Sequence, residues 1–147
     1  LGAAYFLKGN VPEARKYLEA ARSQYPPDPK IYFYLGRVYQ EEKLNDEALQ
    51  AFLMSNKLDP NFAENYYHMA MAYSTAGNNG EAYRCLGYYY KLSGSPIQAI
   101  AQFQKAMPFF PDSSPEKAQM RKDIEELTPQ KKDPPPNARP PAPSRRR

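Results

Sequence analysis

Residues 30–60 read KIYFYLGRVYQEEKLNDEALQAFLMSNKLDP. In the first half, Tyr32, Leu35, Gly36 and Tyr39 fall at i, i+3, i+4 and i+7, one apolar stripe of a helix with 3.6 residues per turn. A glycine inside a helix costs about 1 kcal/mol relative to alanine, so Gly36 calls for a packing reason. Close approach of a second helix supplies one. That second helix is the other half of the stretch. Asn45 is expected to cap its N-terminus. Ala48, Phe52 and Ser55 then face inward, and Asp59-Pro60 ends it, because proline cannot continue the hydrogen-bond ladder. The stretch predicts two antiparallel helices in one unit from about Pro29 to Phe62.

The same unit recurs on both sides with a period of 34 residues. Gly2 is echoed by Gly36 and Ala70, and Tyr5 by Tyr39 and Tyr73. Ala14, Ala48 and Ala82 form one column, Leu18, Phe52 and Leu86 another, and Pro26 returns as Pro60. Upstream, this predicts the end of a helix over 1–8, a turn at Gly9-Asn10 and a helix from Pro12 to about Gln24. Downstream, a helix starts near Ala63 with Tyr66, Met69, Ala70 and Tyr73 inward, followed by a turn over Gly77–Gly80. Small, aromatic and proline positions in phase at this period resemble the tetratricopeptide repeat, or TPR. The resemblance implies an all-α solenoid of antiparallel helix pairs that binds other proteins and holds no cofactor.

Near the end the phase slips by half a period. Gly87, Tyr90, Gly94, Ala99, Phe103, Ala106 and Pro111 match the columns again, 17 residues early. The helix over about 81–92 therefore fits two templates, and the simplest account is one helix shared by two repeats and buried on two sides. The chain then holds about three and a half repeats, with a further helix over about 96–107. A last helix over about 115–127, opened by a capping box at Ser113–Glu116, has a thin stripe of Met120, Ile124 and Leu127, as a solenoid cap requires. Residues 1–127 are expected to form the solenoid with its cap. Residues 128–147 hold seven prolines and no aromatic residue, and are expected to be a disordered basic tail, partly polyproline II.

Charge supports that division. The chain has 147 residues and a net charge of +4, but the last 20 residues alone carry +5, so the remainder sums to −1. The repeats are not basic, and no nucleic-acid partner is expected. No apolar run reaches the roughly 20 residues of a membrane span. Because Leu1 and Gly2 stand where the middle of a helix belongs, the chain is expected to continue a longer protein. The single cysteine, Cys85, and single histidine, His68, leave no metal or nucleophile–base constellation, so no catalysis is expected of these residues. His68 reads as a partly buried helix residue and Cys85 as a buried one. In the tail, Pro140–Arg145 fits a PxxPxR polyproline ligand pattern.

The stretch 80–106, GEAYRCLGYYYKLSGSPIQAIAQFQKA, is more specific. Its Glu81, Ala82, Leu86, Tyr88, Tyr89, Tyr90, Leu92, Gly94, Ala99, Ile100, Gln102 and Ala106 resemble the C-terminal TPR segment of bacterial zinc metallopeptidases of the BepA type. That resemblance implies an HExxH protease domain elsewhere in the parent protein and a bacterial envelope or periplasmic location. It also implies a repeat module that contacts the protease domain and binds substrate or partner. The alternative is a stand-alone bacterial TPR adaptor or lipoprotein with no enzyme attached.

TPR proteins bind ligands on the concave face of their first helices. Carried onto this chain, that geometry selects Lys30, Phe33, Arg37 and Gln40, then Glu64, Tyr67, Met71 and Ser74, then Arg84, Tyr88 and Lys91. Aromatic and arginine side chains suit binding hot spots, and methionine adapts to varied partners. A clamp for a chaperone's C-terminal carboxylate would need Lys and Asn where Ala3, Phe33, Tyr34, Glu64 and His68 stand, and is not expected. The run Tyr88–Tyr90 spans so much of the helix circumference that at least one of the three must leave the core.

Overall fold

The structure is a computed structural model that describes residues 1–129. Among these residues, eight α-helices follow one another and no strand forms: α1 (Gly2–Leu7), α2 (Val11–Gln24), α3 (Pro29–Glu41), α4 (Asn45–Leu58), α5 (Ala63–Thr75), α6 (Asn79–Leu92), α7 (Pro96–Ala106) and α8 (Pro115–Leu127). A single 3₁₀ turn, Met107–Phe109, extends α7. From residue 130 onward the expected tail, with its PxxPxR pattern, lies outside the described residues.

Helices pair as α1 with α2, α3 with α4 and α5 with α6, and the pairs stack into a solenoid. Two of these pairs, α1–α2 and α3–α4, close on a missing side chain. A Cβ placed on Gly36 would lie 2.4 Å from the Phe52 ring, and one on Gly2 would lie 2.6 Å from Leu18. Both partners follow their glycine by 16 residues, across the turn. Backbone and ring therefore sit at van der Waals contact only because no methyl intervenes. The same contact appears a third time, out of phase: a Cβ on Gly87 would meet Phe103 at 2.4 Å. Gly87 is in α6 and Phe103 in α7, so α6 plays second helix to α5 and first helix to α7, as the slipped period requires.

Burial shows the two-sided role of α6 directly. Cys85 and Leu86 join the main core, built on Phe33, Leu35, Val38, Phe52 and Met69. Tyr83, Tyr88 and Tyr90 pack on a second core of Ala99, Phe103, Ala106 and Met120. Helix α8 closes that second core with Met120, Ile124 and Leu127, the stripe read from sequence. Turns follow the repeat as well. Gly9, Gly77 and Gly94 adopt φ of 75–77°, and Lys43 takes the fourth such position at 60°. A left-handed residue there ends one helix and aims the chain back along it.

Helix starts differ from expectation in three places. Asn45 is not a cap: it is the first residue of α4, and its Nδ2 crosses to donate to the Ala72 carbonyl at 3.1 Å. Ser114, not Ser113, caps α8, its Oγ accepting from the Lys117 amide at 3.2 Å. The supposed turn over Gly77–Gly80 is shorter, with Asn78 accepting from the Glu81 amide at 3.3 Å and α6 already under way at Asn79. In each case a neighbouring residue offers the better-placed acceptor, or a tertiary partner claims the side chain.

Replacing Gly87 or Gly36 by alanine is expected to destabilise the fold by about 1–3 kcal/mol through overpacking. The roughly 1 kcal/mol that alanine gains in helix propensity only partly offsets this. Urea unfolding of Gly87→Ala and of Gly87→Ala with Phe103→Leu checks it. The smaller side chain should recover part of the loss, and additive effects would show that the two residues are not in contact.

Candidate functional site

Four of the residues selected from sequence come together on one face. Arg37 and Gln40 of α3 and Tyr67 and Met71 of α5 line a cavity of about 610 Å³, with His68 at its wall. Tyr67 and Met71 also line an adjoining cavity of about 440 Å³ between α5 and α6, which adds Ser74, Tyr83 and Leu86. The two form one groove, and its floor is apolar. Tyr67 is 43% and Met71 47% exposed, high for side chains of their size.

Helical periodicity places these side chains. Tyr67 and Met71 are i and i+4 on α5 and so stand on one face, while Met69, Ala70 and Ala72 turn into the core. On α3, Arg37 lies over two aromatic rings. Its guanidinium carbon lies 4.8 Å from the Phe6 ring centroid and 5.9 Å from that of Phe33. Among the described residues it forms no ion pair, although Glu41 lines the same cavity.

His68 belongs to the wall. Its ring sits 5.5 Å from Phe33, 5.7 Å from Phe52 and 5.4 Å from Tyr67. Nδ1 is 3.0 Å from Gln40 Oε1, and Gln40 Nε2 donates to the His68 carbonyl at 3.3 Å. Burial first, and the Arg37 charge second, lower its pKa from 6.5 to about 4. Neutral His68 thus donates Nδ1–H to Gln40, and this reciprocal pair ties α3 to α5 across the groove. The partly buried helix histidine read from sequence is what the structure contains.

The other selected residues fall elsewhere. Phe33 is a correction: at 2% exposure it fills the core against Phe52 and Phe62, because α3 turns that position toward α4 and α5. Lys30 and Glu64 are exposed in the first turns of α3 and α5 and line neither cavity. Arg84, Tyr88 and Lys91 line a different cavity, walled by α4, α5, α6 and α8. The reason is the phase slip. Counted as a first helix, α6 points these residues into the cavity it shares with α4, α5 and α8, away from the groove. Tyr89 is the member of the tyrosine run that leaves the core, packing on Tyr67 at 5.5 Å beside the groove. The run itself was legible; which tyrosine turned outward depended on the rotation of α6.

Burial pushes the Cys85 thiol up to about 12, against the opposing charge of Arg84, so it stays protonated. No group of three His, Cys, Asp or Glu side chains able to hold a metal ion occurs among the described residues. No helix among them is long and apolar enough to cross a membrane.

Comparison with known proteins agrees with this geometry. Residues 5–72 match the family model described as Tetratricopeptide repeat. The crystal structure of MamA superposes with a TM-score of 0.62 at 16% identity, covering 86% of this chain and 72% of that one. PcrH from Pseudomonas aeruginosa superposes with a TM-score of 0.53 at 19% identity, covering 86% and 85%. No curated protein sequence matches. At these identities the structures share a fold with this chain and nothing finer.

Because the folded protein favours neutral His68, the unfolded chain binds the extra proton between pH 6.5 and about 4. Stability is therefore expected to be full above pH 6.5 and to fall as pH drops through that window. Urea unfolding at pH 7 and pH 5 of the parent and of His68→Gln checks it. The substitution should flatten the pH dependence, and an unchanged slope would assign it to other groups. Residues 5–72 thus match the tetratricopeptide repeat in sequence, and the described residues as a whole share the fold of a helical repeat solenoid.

Proposed function

We propose that the groove of α3, α5 and α6 binds a segment of a partner protein that brings an apolar side chain and a carboxylate. The observation that carries this is Arg37. It is braced on two aromatic rings, it has no acidic partner among the described residues, and it stands at the mouth of an exposed apolar floor. Arg37 and Lys43 against Glu41 leave the cavity with a net positive charge. A carboxylate arriving at Arg37 gains charge-assisted, potentially bidentate hydrogen bonds, while Tyr67, Met71 and Leu86 accept the apolar anchor. Bracing also lowers the entropy lost on binding, since the guanidinium is already positioned.

A random peptide library displayed on phage tests the reading. Selected peptides are expected to share an acidic residue near a large apolar one. Arg37→Glu and Tyr67→Ala should each weaken their binding at least about tenfold, the worth of about 1.4 kcal/mol, with the thermal midpoint unchanged. Selected peptides without acidic residues, or equal binding to Arg37→Glu, would overturn it.

We further propose that this module serves a bacterial envelope metallopeptidase as its substrate- or partner-binding part. The support is the resemblance of residues 80–106 to the BepA type, and the helix that carries the resemblance is the shared α6. On this reading the groove presents substrate or docks the protease domain, and the location is the envelope or periplasm. A stand-alone adaptor is the competing reading. The coding sequence upstream of Leu1 decides between them. An HExxH helix followed by a glutamate ligand is expected, and an open reading frame without one would sink the metallopeptidase assignment.

A further inference from the structure

A path of exposed apolar surface leaves the groove on its α6 side. Tyr83 lines the cavity between α5 and α6. Its ring packs on Phe109 of the 3₁₀ turn, with centroids 6.1 Å apart and the planes tilted by 41°. Phe109 is 57% exposed, yet its backbone end is fixed. Gly80 of α6 lets it come so near that a Cβ on the glycine would lie 2.6 Å from the Phe109 Cβ. The ring is thus anchored at its base and open to water at its tip. An anchored aromatic residue beside a second one suits a binding hot spot.

Charge marks both ends of this path. Arg37 stands at the α3 end, and Lys105 of α7 at the other, its Nζ 5.9 Å from the Tyr83 ring centroid. Neither forms an ion pair among the described residues. The cavity between them, lined by Tyr67, Met71 and Tyr83 among others, has no charged residue in its wall. An occupant that fits is apolar in its middle and acidic at both ends. The chain's own residues 128–147 have the wrong sign, with six Lys or Arg against one Asp. Packed helix axes lie about 8–10 Å apart, so crossing from α3 over α5 and α6 to α7 covers up to about 30 Å. An extended segment spans that with about nine residues.

We propose that Tyr83, Phe109 and Lys105 form a second subsite that extends the groove, and that the occupant is an acidic partner segment with two apolar anchors between two carboxylates. The first half rests on the groove reading above: Arg37 takes one carboxylate, and Tyr67 and Met71 take one anchor. The Tyr83–Phe109 pair takes the second anchor, and Lys105 the second carboxylate.

Peptides of about twelve residues, long enough for that span, are selected by phage display on the full chain, and their affinities are read by fluorescence anisotropy. Phe109→Ala keeps the Cβ on Gly80 and removes the ring. It should weaken binding at least about fivefold with the thermal midpoint unchanged. Lys105→Glu should weaken binding about threefold or more, and lysine in place of the peptide's distal carboxylate should restore most of that loss. A peptide cut to the half that meets Arg37 should stop responding to both substitutions and still respond to Arg37→Glu. Loss on Arg37→Glu with indifference to Phe109→Ala or to Lys105→Glu overturns the extension and leaves the groove reading standing. Loss on Phe109→Ala and Lys105→Glu with indifference to Arg37→Glu overturns the groove reading and keeps the subsite as a site of its own. Selected peptides without a second carboxylate, or no selected peptide at all, would also overturn the extension.

Discussion

Everything in this fold rests on a ring pressed against bare backbone. Gly36 meets Phe52, and Gly87 meets Phe103, at distances that leave no room for a methyl group. Each contact sets how closely two antiparallel helices run, and that spacing decides which of their other residues reach a neighbour. Ser55, for instance, is fully buried, yet it donates to the Pro29 carbonyl at 2.8 Å because α3 and α4 run so near. Asn65 is equally buried and donates to the Phe52 carbonyl at 2.9 Å, carrying the register from one pair to the next. The polar ties thus depend on the apolar contact, since a wider spacing would pull each donor from its acceptor.

Repetition of one contact also explains why the phase slip is tolerated. A helix can serve two repeats only if it offers one face to a ring and another face as a ring-bearer. Helix α6 does so: Leu86 and Cys85 turn to the main core, and Gly87 opens the opposite side to Phe103. Gly80 in the same helix brings Phe109 close, where a Cβ would lie 2.6 Å away. Two glycines in one helix weaken it intrinsically, by roughly 1 kcal/mol each. Burial on both sides supplies the compensation, with Cys85 and Leu86 in the main core and Tyr83, Tyr88 and Tyr90 against the second.

The sequence disclosed the architecture because the determining residues are local and periodic. Glycine, aromatic ring and turn recur at fixed spacing, and the chain alone shows it, down to the slip at α6. The groove was half legible. Arg37, Gln40, Tyr67 and Met71 follow from counting along a helix, whereas Phe33, Arg84, Tyr88 and Lys91 do not, because counting fixes the spacing of residues and leaves the rotation of the helix open. A rotation of one position carries a side chain about 100° around the axis, enough to move it from groove to core. Tyr89 was missed for that reason. Asp123 was hidden by another: α8 reads as a charged, solvated cap, and one of its acids is buried only because Lys91, 32 residues earlier, meets it.

That burial gives the cap a role beyond covering an end. A helix held by Met120, Ile124 and Leu127 alone could slide by a turn, since its stripe is thin and its partners are smooth. The Lys91–Asp123 pair at 2.6 Å fixes its register, because a slide would strand a carboxylate in the interior. Removing the lysine would leave that carboxylate uncompensated and cost about 3–5 kcal/mol. With its register fixed, α8 closes the far wall of the cavity beyond α5. The half-period slip therefore does more than shorten the solenoid: it turns Arg84, Tyr88 and Lys91 of α6 away from the groove and gives them a wall of their own.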